Sequence, residues 1–173
     1  MQRWSIFLWI TVAAVVLPGC NHGSKQQPAD DSPSVDRISQ AQRTPPQQVA
    51  HGLVRLDKYQ KFPFEVPPHV ISPRLRGEFS SFMQGADGAR ISDESADVEL
   101  MVMTEAQCDD FVHRRSAQAV DAVEPSHNHG VKITLPASQD EPVRYFVVFR
   151  RTTDAKDPVW VNADLTAEFD SSM

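Results

Sequence analysis

Apolar and polar residues alternate along much of this chain. From Val159 to Phe169 the apolar positions are Val159, Val161, Ala163, Leu165, Ala167 and Phe169, the spacing of a strand with one buried face. The same period runs through Val131, Ile133 and Leu135, and through Phe62, Phe64 and Val66. Pro63 interrupts the latter run and Pro67-Pro68 follow it, which predicts an edge or bent strand. "GLVRLD" (52–57) reads as a further strand, and "RLRGEFSSFM" (74–83) as another with a break at Gly77. In "ADVELMVMTE" (96–105), Val98, Leu100 and Val102 point one way while Met101 and Met103 point the other. "PVRYFVVFRRT" (142–152) is apolar at both phases, as a central strand would be.

One segment has the helical period instead. In "TEAQCDDFVHRR" (104–115), Cys108, Phe111 and Val112 share a face, Thr104 is placed as N-cap, and Gln107 sits at the reciprocal capping-box position. Acidic residues in the early turns and Arg114-Arg115 at the end suit the helix dipole. "QGADGARISDES" (84–95) and "EPSHNHG" (124–130) carry glycine, proline and short polar residues and read as a loop and a turn or loop. Short strands with turns between them, one helix and no alternation of strand and helix predict a mainly β fold, an antiparallel β-sandwich over residues 51–170.

The first 50 residues differ. "WSIFLWITVAAVVL" (4–17) is uncharged, follows Arg3 and ends at Pro18-Gly19, the plan of a secretory signal peptide over residues 1–19. As a helix it would span about 21 Å at 1.5 Å per residue, short of the roughly 30 Å that a transmembrane segment must cross. The following stretch, "NHGSKQQPADDSPSVDRISQAQRTPPQQVA" (21–50), is rich in Gln, Ser, Pro and Asp and has no aromatic residue. Such a composition buries too little apolar surface to offset chain entropy and predicts a disordered linker over 20–50. A flexible chain of that length has a root-mean-square reach of about 30 Å and a limit of about 100 Å.

Leu17, Gly19 and Cys20 resemble the lipobox of bacterial lipoproteins, with Pro18 in place of the more usual Ala, Ser or Thr. The resemblance implies a prokaryotic source, diacylglycerol on the Cys20 sulfur, cleavage after Gly19, and acylation of the new amino terminus by a chain such as palmitate. Asn21 follows Cys20 where an Asp resembles the inner-membrane retention signal of some enteric bacteria, so the outer membrane is slightly favoured. The expected location is an exported domain held to the membrane and facing periplasm or exterior. The alternative is a soluble secreted protein in which Cys20 is an ordinary thiol, free to pair with Cys108.

The globular part is similar to GOLD-like (Golgi-dynamics) sandwiches in "VPPHVISPRLRGEF", in the acidic turn before "DVELMVMTE", and in "RYFVVFRRT" followed by "VWVNADLTAEF". Tyr145 to Phe149 match that family's aromatic strand in type, and Arg150-Arg151 replaces its polar turn. The resemblance implies a binding or adaptor module and not an enzyme.

Composition narrows the partners. The 173 residues carry a formal net charge of −6, against a general affinity for nucleic acid or anionic lipid. Two cysteines, Cys20 and Cys108, make neither a disulfide framework nor a CxxC pair.

Four groups are candidates for chemistry. His127 and His129, spaced i, i+2, could face the same way from a strand and offer two imidazoles to a metal, although Pro125 and Gly130 around them favour a loop. Cys108 and His113 lie five positions apart on the helix, about 140° of rotation, so they do not meet locally. Asp93-Glu94 and Asp109-Asp110 read as solvated charge. Arg150-Arg151, with Arg144 and Lys156, form a small basic patch for an anionic ligand or lipid headgroup. The chain has no nucleophile elbow, zinc-protease motif, phosphate-binding glycine loop or EF-hand loop. The expectation is a membrane-anchored envelope lipoprotein with a non-enzymatic interaction domain and no cofactor, the alternative being a metal-binding envelope protein that uses His127 and His129.

Overall fold

The computed structural model describes residues 44–154 and 157–170. The stretch read as a signal peptide, Cys20, nearly all of the stretch read as a linker, and Lys156 lie outside the described residues.

The described chain runs β1 (Gln47–Leu56), β2 (Tyr59–Val66), β3 (Arg74–Gln84), β4 (Arg90–Ile91), a 3₁₀ turn (Glu94–Ala96) and β5 (Val98–Thr104). It continues through α1 (Glu105–Val112), β6 (Asp121–Ser126), β7 (Asn128–Thr134), β8 (Val143–Arg151) and β9 (Val159–Glu168). One sheet has the order β1-β9-β3, with the far side of β3 shared by β7 and β4. The other has the order β2-β8-β5-β6. All pairings are antiparallel. The two sheets face one another across a single core, so the fold is the β-sandwich that the alternation predicts.

The core takes the period-two positions from both sheets. Leu75, Phe79, Val131, Ile133, Val159, Val161 and Leu165 come from the first, and Phe64, Val98, Leu100, Val147 and Phe149 from the second. Phe79 meets Phe149 edge-on between the sheets, with ring centroids 5.4 Å apart. On its other face the second sheet carries Met101, Met103, Phe146 and Val148, and α1 covers them with Cys108, Phe111 and Val112. Burial on both faces explains why β5 and β8 lack polar alternation. Residues 100–103 of β5 and 145–149 of β8 are continuously apolar because both faces are buried there.

Local signals set the ends of α1. Thr104 Oγ1 accepts a hydrogen bond from the Gln107 N–H, and Gln107 Oε1 accepts one from the Thr104 N–H at 2.9 Å, completing the capping box. The helix stops at Val112, with His113 as C-cap and Arg114 in the left-handed region at φ +57°. The two arginines therefore follow the helix and do not form its last turn.

Three stretches differ from the sequence reading. β1 begins at Gln47, so 47–50 is strand and not linker; Val49 and Ala50 are buried in the core. The stretch read as a turn or loop at 124–130 is mostly two strands, β6 and β7, with His127 alone between them. Pro125 is tolerated because β6 is an edge strand, where a missing N–H breaks no ladder bond on the open side. The stretch 84–95 contains the β3–β4 hairpin and the 3₁₀ turn, closed by Gly85 N–H to Ala89 O at 2.8 Å.

Gly77 does not break β3. It sits in the sheet opposite Leu165 and Val131 at φ +140°, and a Cβ there would lie 1.9 Å from the Asp164 carbonyl oxygen. Gly77→Ala is expected to destabilise the domain by about 2 kcal/mol or more, since the obstructing atoms are backbone. Phe149→Ala should cost about 3–5 kcal/mol through the cavity between the sheets. Urea denaturation measures both, and an unchanged midpoint for either variant would contradict the packing described.

Candidate functional site

The two candidate histidines have different surroundings. His127 Nδ1 lies 2.9 Å from Asp97 Oδ1, a half-exposed pair that ties the β6–β7 crossing to the 3₁₀ turn. The His127 carbonyl also accepts from the Ser81 N–H at 2.8 Å. His129, within β7, lies against the Phe79 ring, with centroids 6.4 Å apart. Among the described residues no group of three or more His, Cys, Asp or Glu side chains could hold a metal ion. Near His127, the Ser95 hydroxyl and N–H both bond Asp93 Oδ1 and hold that carboxyl below its ordinary value of 3.8.

Cys108 and His113 also go separate ways. His113 Nδ1 faces Asp109, 2.8 Å from its carbonyl oxygen and 3.1 Å from its carboxylate. The Cys108 thiol is buried under α1 against Met101, Met103 and Val148. Burial pushes its pKa above the ordinary 9.0.

The arginine patch is rearranged. Arg144 stands near the start of β8, 3.4 Å from Glu105 and over the Phe146 ring. Arg150 and Arg151, at the other end of that strand, line a hollow of about 400 Å³ with Lys58, Tyr59, Arg114 and Asp154. Lys58 comes from the β1–β2 turn and Arg114 from the turn after α1, neither of which the sequence associates with the patch. Arg150 is held by Glu99 at 2.5 Å, and Arg151 Nη1 donates to the Asp57 carbonyl at 3.1 Å. The Tyr59 ring meets Phe111 edge-on at 5.3 Å, which ties the end of the helix to the start of β2. A second hollow, on the outer face of the first sheet, is lined by His51, Glu78, Ser80, Asn162 and Asp164, with His51 Nδ1 3.5 Å from the Asp164 carboxylate.

No family model and no curated protein matches the chain.

Cys108 should behave as a core thiol. In a Cys20→Ser chain, Ellman's reagent is expected to modify it about 100-fold more slowly in buffer than in denaturing urea. Its folded pKa lies above its unfolded one, so its contribution to stability is full below about pH 8. That contribution is lost as pH rises through the unfolded value toward the folded one. The urea midpoint should fall from pH 8 to 10 more steeply than in Cys108→Ala; equal slopes, or rapid native labelling, would show an accessible thiol.

Proposed function

We propose that this chain is an exported bacterial lipoprotein whose sandwich domain binds a protein or other envelope component and is not an enzyme. The observation that carries the reading is the stretch "VVLPGC" at the end of an uncharged apolar run. A peptidase reads such a site as a linear segment, so Pro18-Gly19 breaking the apolar run just before Cys20 is meaningful before any folding occurs. Each buried CH₂ of an acyl chain contributes about 0.8 kcal/mol, and two or more chains make attachment lasting. The polar segment after Cys20 then acts as a spacer between bilayer and domain. The resemblance to GOLD-like sandwiches supports the reading of the domain as a binding or adaptor module.

Labelled palmitate supplied to a bacterial host making the full chain tests the anchor. Incorporation is expected in the wild type and not in Cys20→Ser, with intact mass showing the loss of residues 1–19. A wild-type chain that takes up no label would remove the anchor, leave Cys20 as a thiol and make the protein soluble and secreted. Cross-linking in cells should capture an envelope partner through the domain; a hydrolytic or redox activity abolished by changing one domain residue would overturn the non-enzymatic reading.

A further inference from the structure

We infer that the hollow between the β1–β2 turn, the end of β8 and the turn after α1 is a binding site for a phosphate-bearing anion, contacted by Lys58 and Arg114. Two independent features carry this.

The first is charge. In a chain of net charge −6, four cations (Lys58, Arg114, Arg150 and Arg151) line one hollow, with Asp57 and Asp154 as the acidic residues among the described lining. Asp57 is occupied by Arg55, whose Nη2 stands 3.1 Å from its carboxylate. Arg150 is occupied by Glu99. Lys58 and Arg114 have no ion-pair partner among the described residues. Cations gathered in this way repel one another, and an anion placed between them relieves that cost.

The second is the backbone of Arg114. The Arg115 N–H bonds the Asp110 carbonyl at 2.8 Å and the Arg114 N–H bonds the Phe111 carbonyl at 3.1 Å. These are the two bonds of a Schellman ending, and they put Arg114 at the left-handed position that glycine usually fills. A side chain is strained there, and strain of this kind collects where a side chain has work to do. The neighbouring Arg115 folds back onto Asp109 and Asp110 and needs no other explanation. Arg114 instead lines the hollow with a guanidinium that has no ion-pair partner among the described residues, the group whose planar fork matches phosphate oxygens in pairs. The Tyr59–Phe111 contact fixes this turn relative to β2, so the cations are positioned before a ligand arrives. The hollow's volume suits a phosphoryl group together with part of the molecule that carries it.

The ligand chemistry is common to a lipid headgroup and to a soluble phosphate. The assignment is independent of the anchor at Cys20, and so is its test. The full chain in dodecyl maltoside at low salt is titrated calorimetrically with inorganic phosphate and with dioctanoyl phosphatidic acid. Both are expected to bind, more weakly as salt rises. Tighter binding of phosphatidic acid assigns the site to a headgroup, and tighter binding of inorganic phosphate to a soluble ester. Arg114→Gly is the decisive variant because it relieves the backbone strain. Its Tm should rise by about 4 °C while affinity for both probes falls at least about 10-fold. Lys58→Ala should weaken both probes without moving Tm. If wild-type protein binds neither probe at millimolar concentration, or Arg114→Gly binds as well as wild type, the inference is overturned. A chain that is not acylated yet binds phosphate refutes the anchor alone; an acylated chain that binds neither probe refutes the site alone.

Discussion

Burial of β8 on both faces is the constraint on which the rest of the structure depends. Its inward residues Tyr145, Val147 and Phe149 belong to the core between the sheets, and its outward residues Phe146 and Val148 to the smaller cluster beneath α1. A strand buried twice needs two covers, because exposing either apolar face costs roughly 25 cal/mol per Å². The five-stranded sheet supplies one cover, through Phe79 against Phe149. The helix supplies the other, and eight residues suffice because it has to cover only the middle of β5 and β8. Without α1 the second sheet would present Met101, Met103, Phe146 and Val148 to water.

The same constraint places the charged groups. Charged side chains cannot enter a strand that is buried on both sides, so the arginines of β8 sit near its ends, Arg144 at one and Arg150-Arg151 at the other. Each end then takes the company that the topology brings. Arg144 meets Glu105 at the start of α1. Arg150 and Arg151 meet the β1–β2 turn, the strap that passes between the sheets, and the turn that ends α1. The cationic hollow follows from where the helix must stop. Once α1 has covered the apolar face, its chain has to turn, and it turns beside β2.

A module of this kind suits the tethered life proposed for it. Its core contains no disulfide and its one described cysteine is buried, so no exposed thiol stands among the described residues. Gly77 shows how tightly the first sheet is drawn together, since the Asp164 carbonyl occupies the space that a side chain would need. Ser138 does similar work at the other end, accepting from the Val70 N–H at 3.0 Å and donating to the Pro67 carbonyl, and so binds two loops far apart in sequence. No local pattern marks either residue for its part.

Much of the fold was legible in the sequence. Alternation at Val131, Ile133 and Leu135 and from Val159 to Ala167 identified the buried faces, and the double phase of 145–149 marked a central strand. The capping box of Thr104 and Gln107 was legible because both its bonds join residues three apart. The lipobox resemblance is likewise a property of consecutive residues. What remained hidden was non-local. Period two tells which way a side chain points but not which strand lies beside it. Only the paired sheets therefore decided that His127 faces Asp97 while His129 faces Phe79. In the same way, Lys58, Arg114 and Arg150 come from segments with no shared pattern, and Arg144, six residues from Arg150, is left out because an extended strand carries it to the far end of the sheet. The sequence by itself determined which faces of the alternating strands are buried and where the helix starts. The tertiary structure alone decided which charges meet, because that depends on contacts between residues distant along the chain.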